Sequence, residues 1–294
     1  MELSKKVRIL TDSGSDISQN QAREWDIRVI PLSVSFGDQE YLDGVTLSNR
    51  EFYEKLVETS VLPKTSQIPP YGYEQEFIKA LRAGYEHVIC FTLSSGVSGS
   101  YQSACLAAKK FDGQVTVIDT KQFCISQLFI VERAVQLRDQ GLSAQELVSR
   151  IREELPQAHV IAVFDTLEYL KLGGRLSAAG AFAGHLLSIK PVLTIEKGKV
   201  KIIGRARGSK NSHNQLMRAV EELGIDWERP VCLGYTGLSD LVLTKYVKDS
   251  QALYEGHENC LKSVTVGATI GTYAGPGAIA VAFFEKKDKE KGNE

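Results

Sequence analysis

The chain lacks long apolar runs and paired cysteines. No stretch approaches the roughly 20 apolar residues that a membrane-spanning helix needs. The N-terminal apolar run is short and reaches Asp12 quickly, so it does not have the core of a signal peptide. The five cysteines are scattered, odd in number and without a C-x-x-C pair. We therefore expect a reduced, cytoplasmic protein.

An excess of either charge is also missing. Lys and Arg number 35 and Asp and Glu 36, which gives a net charge of -1. Since nucleic-acid binding needs a concentrated basic surface, we expect no nucleic acid as partner. The basic segment 199–210 is the local exception, and it is either a solvated hairpin edge or a contact for a partner protein or an anionic membrane surface. The five histidines show no metal-ligand spacing, so no metal site is predicted.

Motifs of the common catalytic loops are absent as well. There is no G-x-x-x-x-G-K-[ST] loop, and residues 96–99 (GVSG) are one residue short of G-x-S-x-G. Residues 275–280 spell G-x-G-x-x-A but precede a strand, whereas a dinucleotide site opens a helix. Asp12 and Asp16 flank a Gly-Ser turn. They are either catalytic, or Asp16 caps the next helix and Asp12 braces the turn. The pattern favours binding over turnover, with no cofactor.

The length of 294 residues favours two domains. In the first half, short apolar strands alternate with helical patterns, which predicts an α/β fold whose sheet is parallel or mostly parallel and carries helices on its faces. The second half has a different pattern. Pro156 ends a helix that opens on a capping box at Ser143. We therefore expect an N-terminal α/β domain over 1–157, a C-terminal α/β domain over 158–286 and a charged, disordered tail over 287–294.

Apolar periodicity predicts the positions of the individual elements. A hairpin turn is expected at Lys197-Gly198. Strands are predicted over 7–11, 27–36, 87–93, 115–119, 160–164, 231–235, 263–268 and 278–284. Helices are predicted over 17–25, 51–59, 71–84, 127–140, 211–223 and 241–254, with another that starts near residue 99 or 100.

A serine-rich turn joins the strand ending near Leu93 to the helix that follows. Ser94, Ser95, Ser98 and Ser100 place hydroxyl groups beside the free N–H groups of the helix start. Because a helix N-terminus favours negative charge, the turn suits a carboxylate or a phosphate. The alternative is that the serines only cap the helix. In open α/β sheets ligands lie beyond the carboxyl ends of strands, and this turn lies there.

Six short motifs occur in one order along the chain, and together they resemble the DegV family over nearly its whole length. They are TDS at 11–13, KTSQ at 64–67, LSSGVSGSYQSA at 93–104, GGRLS at 173–177, KP at 190–191 and GPGA at 275–278. The resemblance implies two α/β domains that enclose one acyl chain in a tunnel. It also implies a protein that is not an enzyme and presents a long-chain fatty acid to a separate ATP-dependent fatty acid kinase. The acyl phosphate made there feeds phospholipid synthesis.

The resemblance also assigns the residues that bind the carboxylate. Thr65 and Ser95 match the family's threonine and second serine, and both are expected to hydrogen-bond the carboxylate. Ser94, Ser66 and Gly96 are expected to complete the polar pocket through hydroxyl or N–H groups. A buried carboxylate needs such donors, because an isolated charge is expensive to remove from water.

Three further expectations follow from the resemblance. Arg175 is expected near the head group, or else in a salt bridge between the domains. Tyr273 stands where kinase-dependent members often have histidine. A phenol can donate a hydrogen bond but gains no positive charge at neutral pH. The small-residue segment 178–189 is a candidate tunnel wall or ordinary helix packing.

Two other function classes stay open at this stage. One is a stand-alone hydrolase or phosphotransferase acting on a small carboxylate or phosphate substrate, with Asp12, Ser95 and Arg175 as its catalytic set. The other is a scaffold without a pocket. A long acyl chain would supply ample affinity to a carrier, since each buried methylene contributes about 0.8 kcal/mol.

Overall fold

The computed structural model describes residues 6–59, 61–176 and 189–286 and has a mixed α/β architecture. The strands are β1 Val7–Asp12, β2 Ile27–Ile30, β3 Ser33–Phe36, β4 Gln39–Leu42, β5 Lys64–Ser66, β6 His87–Thr92, β7 Val115–Asp119, β8 Ala158–Val163, β9 Ile189–Glu196, β10 Lys199–Arg207, β11 Cys232–Tyr235, β12 Lys262–Thr265 and β13 Ile279–Phe284. The helices are α1 Gln19–Glu24, α2 Asn49–Glu58, α3 Pro70–Arg82, α4 Ser100–Ala108, α5 Ile125–Asp139, α6 Ala144–Glu154, α7 Glu168–Leu172, α8 Ser209–Leu223, α9 Leu241–Asp249, α10 Gln251–Tyr254 and α11 Ala268–Ala274.

The first sheet has the order β2-β1-β6-β7, and every pair in it is parallel. Helices α3 and α4 cover one face through a core that includes Leu10, Cys90 and Phe77. Helices α5 and α6 cover the other face. Strands buried on both faces read as continuous apolar runs, which is why β6 was identifiable from sequence. The parallel sheet predicted for this half is confirmed.

The second sheet has the order β10-β9-β8-β13-β11-β12. Of its pairs only β11 with β12 is parallel. This half was predicted to differ from the first, and it does: β9 and β10 form a tight antiparallel hairpin, and β13 runs antiparallel between β8 and β11. The hairpin turn at Lys197 and Gly198, both with positive φ, is confirmed.

Helix α5 joins the two sheets into one continuous core. It is buried around most of its circumference and packs against β1 as well as β8, β11 and β13. Its buried polar side chains have partners, since Gln127 donates to Thr11 Oγ1 and Glu132 accepts from Lys262. Its core cluster contains Ile9 and Phe91 of the first sheet together with Val160 and Ala280 of the second. The boundary at 157 and 158 stays a prediction.

Four small elements, β4, β5, α7 and α11, were not predicted from the sequence. The segment 27–36 divides into β2 and β3, and β3 pairs with β4 and β5 in a separate antiparallel sheet. Strand β12 ends at Thr265 rather than residue 268, and α11 follows it. The predicted tail 287–294 lies outside the described residues.

Candidate functional site

Asp12 lies at the carboxyl end of β1, below the serine turn. Its carboxylate accepts hydrogen bonds from Gly14 N (3.1 Å), Leu93 N (2.8 Å) and Gln127 Nε2 (3.2 Å). The side chain is fully buried, and this burial raises the pKa of Asp12 to about 7 despite the three donors. The prediction that Asp12 braces the turn is confirmed.

Asp16 and Asp43 bind the N-terminus of α11. Asp16 Oδ1 accepts from Gly267 N at 2.8 Å, and the Asp43 oxygens accept from Ala268 N at 3.1 Å and Thr269 N at 3.2 Å. Burial raises the pKa of Asp16 to about 7 and also raises the pKa of Asp43. The prediction that Asp16 caps the next helix is wrong, because Ser18 caps α1 through a capping box with Gln21.

Helix α11 is held from the first half of the chain along its whole length. Tyr53 donates to Val266 O at 2.9 Å, and a side chain at Gly271 would place Cβ only 2.6 Å from the Phe52 ring. The helix therefore lies in a fixed position against α2. It carries Tyr273 towards β5, where the Tyr273 hydroxyl and Thr65 Oγ1 are 2.5 Å apart.

This hydroxyl pair lies in a cavity of about 190 Å³. The Arg175 guanidinium stacks over the Tyr273 ring at 4.7 Å and donates to Gly173 O at 2.8 Å. Thr65, Arg175 and Tyr273 of the seven predicted residues line the cavity. The other lining residues are Leu32, Gln67, Leu93, Val97, Ser98, Gly99, Phe123, Leu170, Val200, Thr269 and Ile270. Sequence reasoning named Ser98 only as a hydroxyl of the serine turn and did not assign a role to Gln67 or Gly99, although all three lie within quoted motifs.

Ser94 and Ser95 are bonded elsewhere in the described residues and do not line this cavity. Ser94 Oγ donates to Gly198 O of the β9–β10 hairpin at 2.7 Å. Ser95 Oγ accepts from Lys121 Nζ at 2.8 Å. Ser66, which is exposed, and Gly96 are likewise not lining residues. The carboxylate roles of these four residues stay predictions.

Gly96 is needed where the hairpin contacts the serine turn. A Cβ at this position would lie 2.5 Å from the carbonyl oxygen of Gly198. We expect Gly96→Ala to lower the free energy of unfolding by about 1–3 kcal/mol, because backbone atoms must move apart. Denaturant unfolding measures this effect. Gln102→Ala, at an exposed position of the adjoining helix α4, is the control and should leave the midpoint nearly unchanged. An unchanged midpoint for Gly96→Ala would contradict the prediction.

A second, apolar cavity of about 60 Å³ adjoins the polar one. Phe123, Val200 and Ile270 line both cavities. The floor of the apolar cavity is made by Ala162, Gly234 and Ala280, which lie side by side on β8, β11 and β13. Of the predicted tunnel wall 178–189, residues 178–188 lie outside the described residues.

Asp12, Ser95 and Arg175, the candidate catalytic set, each have other bonding partners in the structure. Asp12 is buried with three donors, Ser95 accepts from Lys121, and Arg175 is held by Gly173 and Tyr273.

In the described part of the chain, no group of three or more His, Cys, Asp or Glu side chains is arranged to hold a metal. Nor does any helix in that part have the length and apolar character to cross a membrane. All five cysteines are described and unpaired.

Comparison with known proteins decides the family. The model of the family described as "Uncharacterised protein, DegV family" matches residues 6–286. The chain belongs to the DegV family. A DegV domain-containing protein of Caldanaerobacter subterraneus subsp. tengcongensis is 35% identical over 297 residues, covering 96% of this chain and all of the relative. The likeness extends across the full DegV domain of that relative.

Solved DegV structures share the fold. A DegV family protein from Thermus thermophilus, described for its fatty acid binding, is 30% identical with a TM-score of 0.86, and 96% of this chain and 100% of that chain are covered. DegV of Bacillus subtilis, described as a fatty acid binding protein, is 27% identical with a TM-score of 0.82 over 96% and 100% of the two chains. The α/β fold of the DegV type is therefore established here, and DegV proteins of similar structure bind fatty acids.

Proposed function

We propose that this protein binds one long-chain fatty acid and presents its carboxyl group to a separate ATP-dependent fatty acid kinase, acting as a carrier and not as an enzyme. The observation that carries the proposal is a pair of adjoining cavities, one polar and one apolar, that share three lining residues. Such a pair suits a ligand with one polar end and one apolar end. The fatty acid binding described for DegV proteins of known structure supports the same conclusion.

The acyl chain would occupy the apolar cavity and extend between the sheets. Ala162, Gly234 and Ala280 leave space there that larger side chains would fill. Burial of each methylene contributes about 0.8 kcal/mol, so the chain would provide most of the affinity. We further propose that the two halves, 1–157 and 158–286, act as the domains that enclose it.

The carboxylate would lie between Thr65 and the serine turn. The Thr65 and Tyr273 hydroxyls both reach the polar cavity, and Arg175 supplies a positive charge beside them. Ser95, through its hydroxyl, and Ser94, Ser66 and Gly96 would contribute at the edge of the site. This places the acidic end near solvent, where a partner kinase could reach it. The proposal includes a cytoplasmic location and transient membrane contact during lipid exchange.

Mass spectrometry of a solvent extract tests the proposal directly. We expect fatty acid to be recovered from protein purified without added lipid, or to be taken up when oleate or palmitate is added. ATP should be consumed only after the kinase is added. Failure to recover or take up any fatty acid would reject the carrier function, and ATP consumption by this protein alone would favour the enzyme instead.

Substitution of the predicted carboxylate ligands tests the head-group site. We expect Thr65→Val and Ser95→Ala each to weaken palmitate binding about tenfold, because the carboxylate loses one hydrogen-bond partner. Isothermal titration calorimetry measures the change. Thr244→Val, at an exposed threonine of α9, is the matched control. Affinity unchanged in either variant would place the carboxylate away from that residue.

A further inference from the structure

Lys121 lies over the serine turn in a backbone conformation that lysine rarely adopts. It follows the carboxyl end of β7 and has φ of +54°. Its ammonium group lies 2.6 Å from Asp119 Oδ2 and donates to Ser95 Oγ at 2.8 Å. Its side chain is 56% exposed. The Lys121 ammonium group therefore lies directly on the Ser95 hydroxyl, which is proposed to bind the carboxylate.

We propose that Lys121 determines the preference of this site for an anionic head group over a neutral one. The inference rests on the proposed function, in which a carboxylate approaches Ser95. An ammonium group has three N–H donors, and two are engaged with Asp119 and Ser95. A carboxylate bound at the Ser95 hydroxyl would come within reach of the remaining donor and of the positive charge.

The other nearby charges are placed differently. Arg175 is engaged by the Tyr273 ring and donates to Gly173 O and to Val97 O of the serine turn. The stem of Lys199 lies against Gly96, with Cγ 3.1 Å from the position of a Cβ there. The negative charge of Asp119 repels an incoming anion. Because Asp119 forms an ion pair with Lys121, the two charges cancel beside Ser95. The balance between Asp119 and Lys121 therefore sets the local charge that a head group meets.

A purely structural role for Lys121 makes a different prediction. If the lysine only held the turn, its loss would weaken binding of charged and neutral lipids alike. Asp119 offers a second test, because its Oδ1 accepts from Ser95 N at 3.1 Å and Lys121 N at 3.0 Å. Asn at this position can keep both bonds while it removes the negative charge. Asp119→Asn should therefore increase the preference for an anionic over a neutral head group, whereas Lys121→Met should decrease it.

The experiment compares the dissociation constants of hexadecanoic acid and hexadecan-1-ol at pH 8. For Lys121→Met we expect the acid-over-alcohol preference to fall by about three- to tenfold, as suits a partly exposed charge. Asp119→Asn should raise it by a similar factor. Lys201→Met, at an exposed lysine paired with Glu196, is the matched control and should leave it unchanged. In the wild type the preference should fall as salt is added, but much less so in Lys121→Met.

Two results would overturn the inference: an unchanged preference in Lys121→Met, or a lower one in Asp119→Asn. Either leaves the carrier function standing, provided that the wild type binds the acid. If the wild type binds neither lipid, the proposed function itself is rejected. The two failures are therefore distinguishable in one set of titrations.

Discussion

Ala280→Phe is expected to abolish binding of long acyl chains while the protein remains folded. Ala280 lies on the central strand β13, 8% exposed, between Gly234 and Ala162 on the floor of the apolar cavity. A phenyl ring there would fill the space proposed for the chain. Exclusion of four methylenes at about 0.8 kcal/mol each would weaken palmitate binding more than about 200-fold.

Titration of palmitate and of octanoate into the variant checks this result. Octanoate should lose less affinity than palmitate, because a shorter chain needs less of the cavity. Ala219→Phe on α8 is the matched control, since it adds the same ring on the opposite face of the second sheet. Overpacking costs about 1–3 kcal/mol, so a thermal melt must show that Ala280→Phe folds. Wild-type affinity for palmitate in a folded variant would show that the chain lies elsewhere.

Asp16→Asn is expected to stabilise the protein at pH 8 and to reduce the pH dependence of its stability. Burial raises the pKa of Asp16 to about 7, while an unfolded chain has about 3.9. The folded protein therefore holds the proton more tightly. The bound proton of Asp16 therefore stabilises the folded protein. This stabilisation is complete below about pH 4 and is lost as the pH rises through about 7. Three pKa units correspond to about 4 kcal/mol at most.

Asn suits this position because of how Asp16 is bonded. Oδ1 accepts from Gly267 N and can be kept, while the Cys124 thiol also bonds the Asp16 side chain and its sulfur can accept a hydrogen bond from Asn Nδ2. Urea unfolding at pH 5 and pH 8 should show a gain of about 2–4 kcal/mol for the variant at pH 8 and little at pH 5. Desolvation lowers the pKa values of the half-buried His87 and the buried His213, which also add to the pH dependence, so only the difference between variant and wild type is diagnostic.

Asp38→Asn provides the control, since Asp38 is an exposed carboxylate in the β3–β4 turn. Its stability difference from the wild type should be the same at both pH values. Asp12, whose pKa burial also raises to about 7, should leave some pH dependence in the Asp16→Asn protein. The idea is wrong if the stability difference between Asp16→Asn and the wild type is equal at pH 5 and pH 8.

The sequence predicted those parts of the fold whose signals are local. Strand β6, the serine turn and α4 follow one another with a clear change of period, and the hairpin at Lys197-Gly198 has its own turn chemistry. Helix α11 offers no such signal, because its seven residues ATIGTYA contain glycine and β-branched residues that disfavour helix. It forms where Asp16 and Asp43 accept its first N–H groups from more than 200 positions away.

The site likewise contains residues that could be predicted from local motifs and contacts between remote segments that could not. Thr65, Arg175 and Tyr273 were predicted from the family likeness, and the structure brings them together around one cavity. The partners of Ser94 and Ser95 could not be predicted, since Gly198 lies 104 positions from Ser94 and Lys121 lies 26 from Ser95. Hydrogen bonds between remote segments depend on topology, which short motifs do not encode.

The position of helix α11 makes the two halves of the chain depend on each other. By chain order it belongs with the second sheet, yet its bonds are made to Asp16, Asp43 and Tyr53 of the first half. Helix α5 has the reverse arrangement, since it precedes the second sheet and covers one of its faces. Each half thus contributes one helix, α5 or α11, that packs against the other half. Separation of the halves would leave the first N–H groups of α11 without their carboxylate partners and one face of the second sheet without its cover.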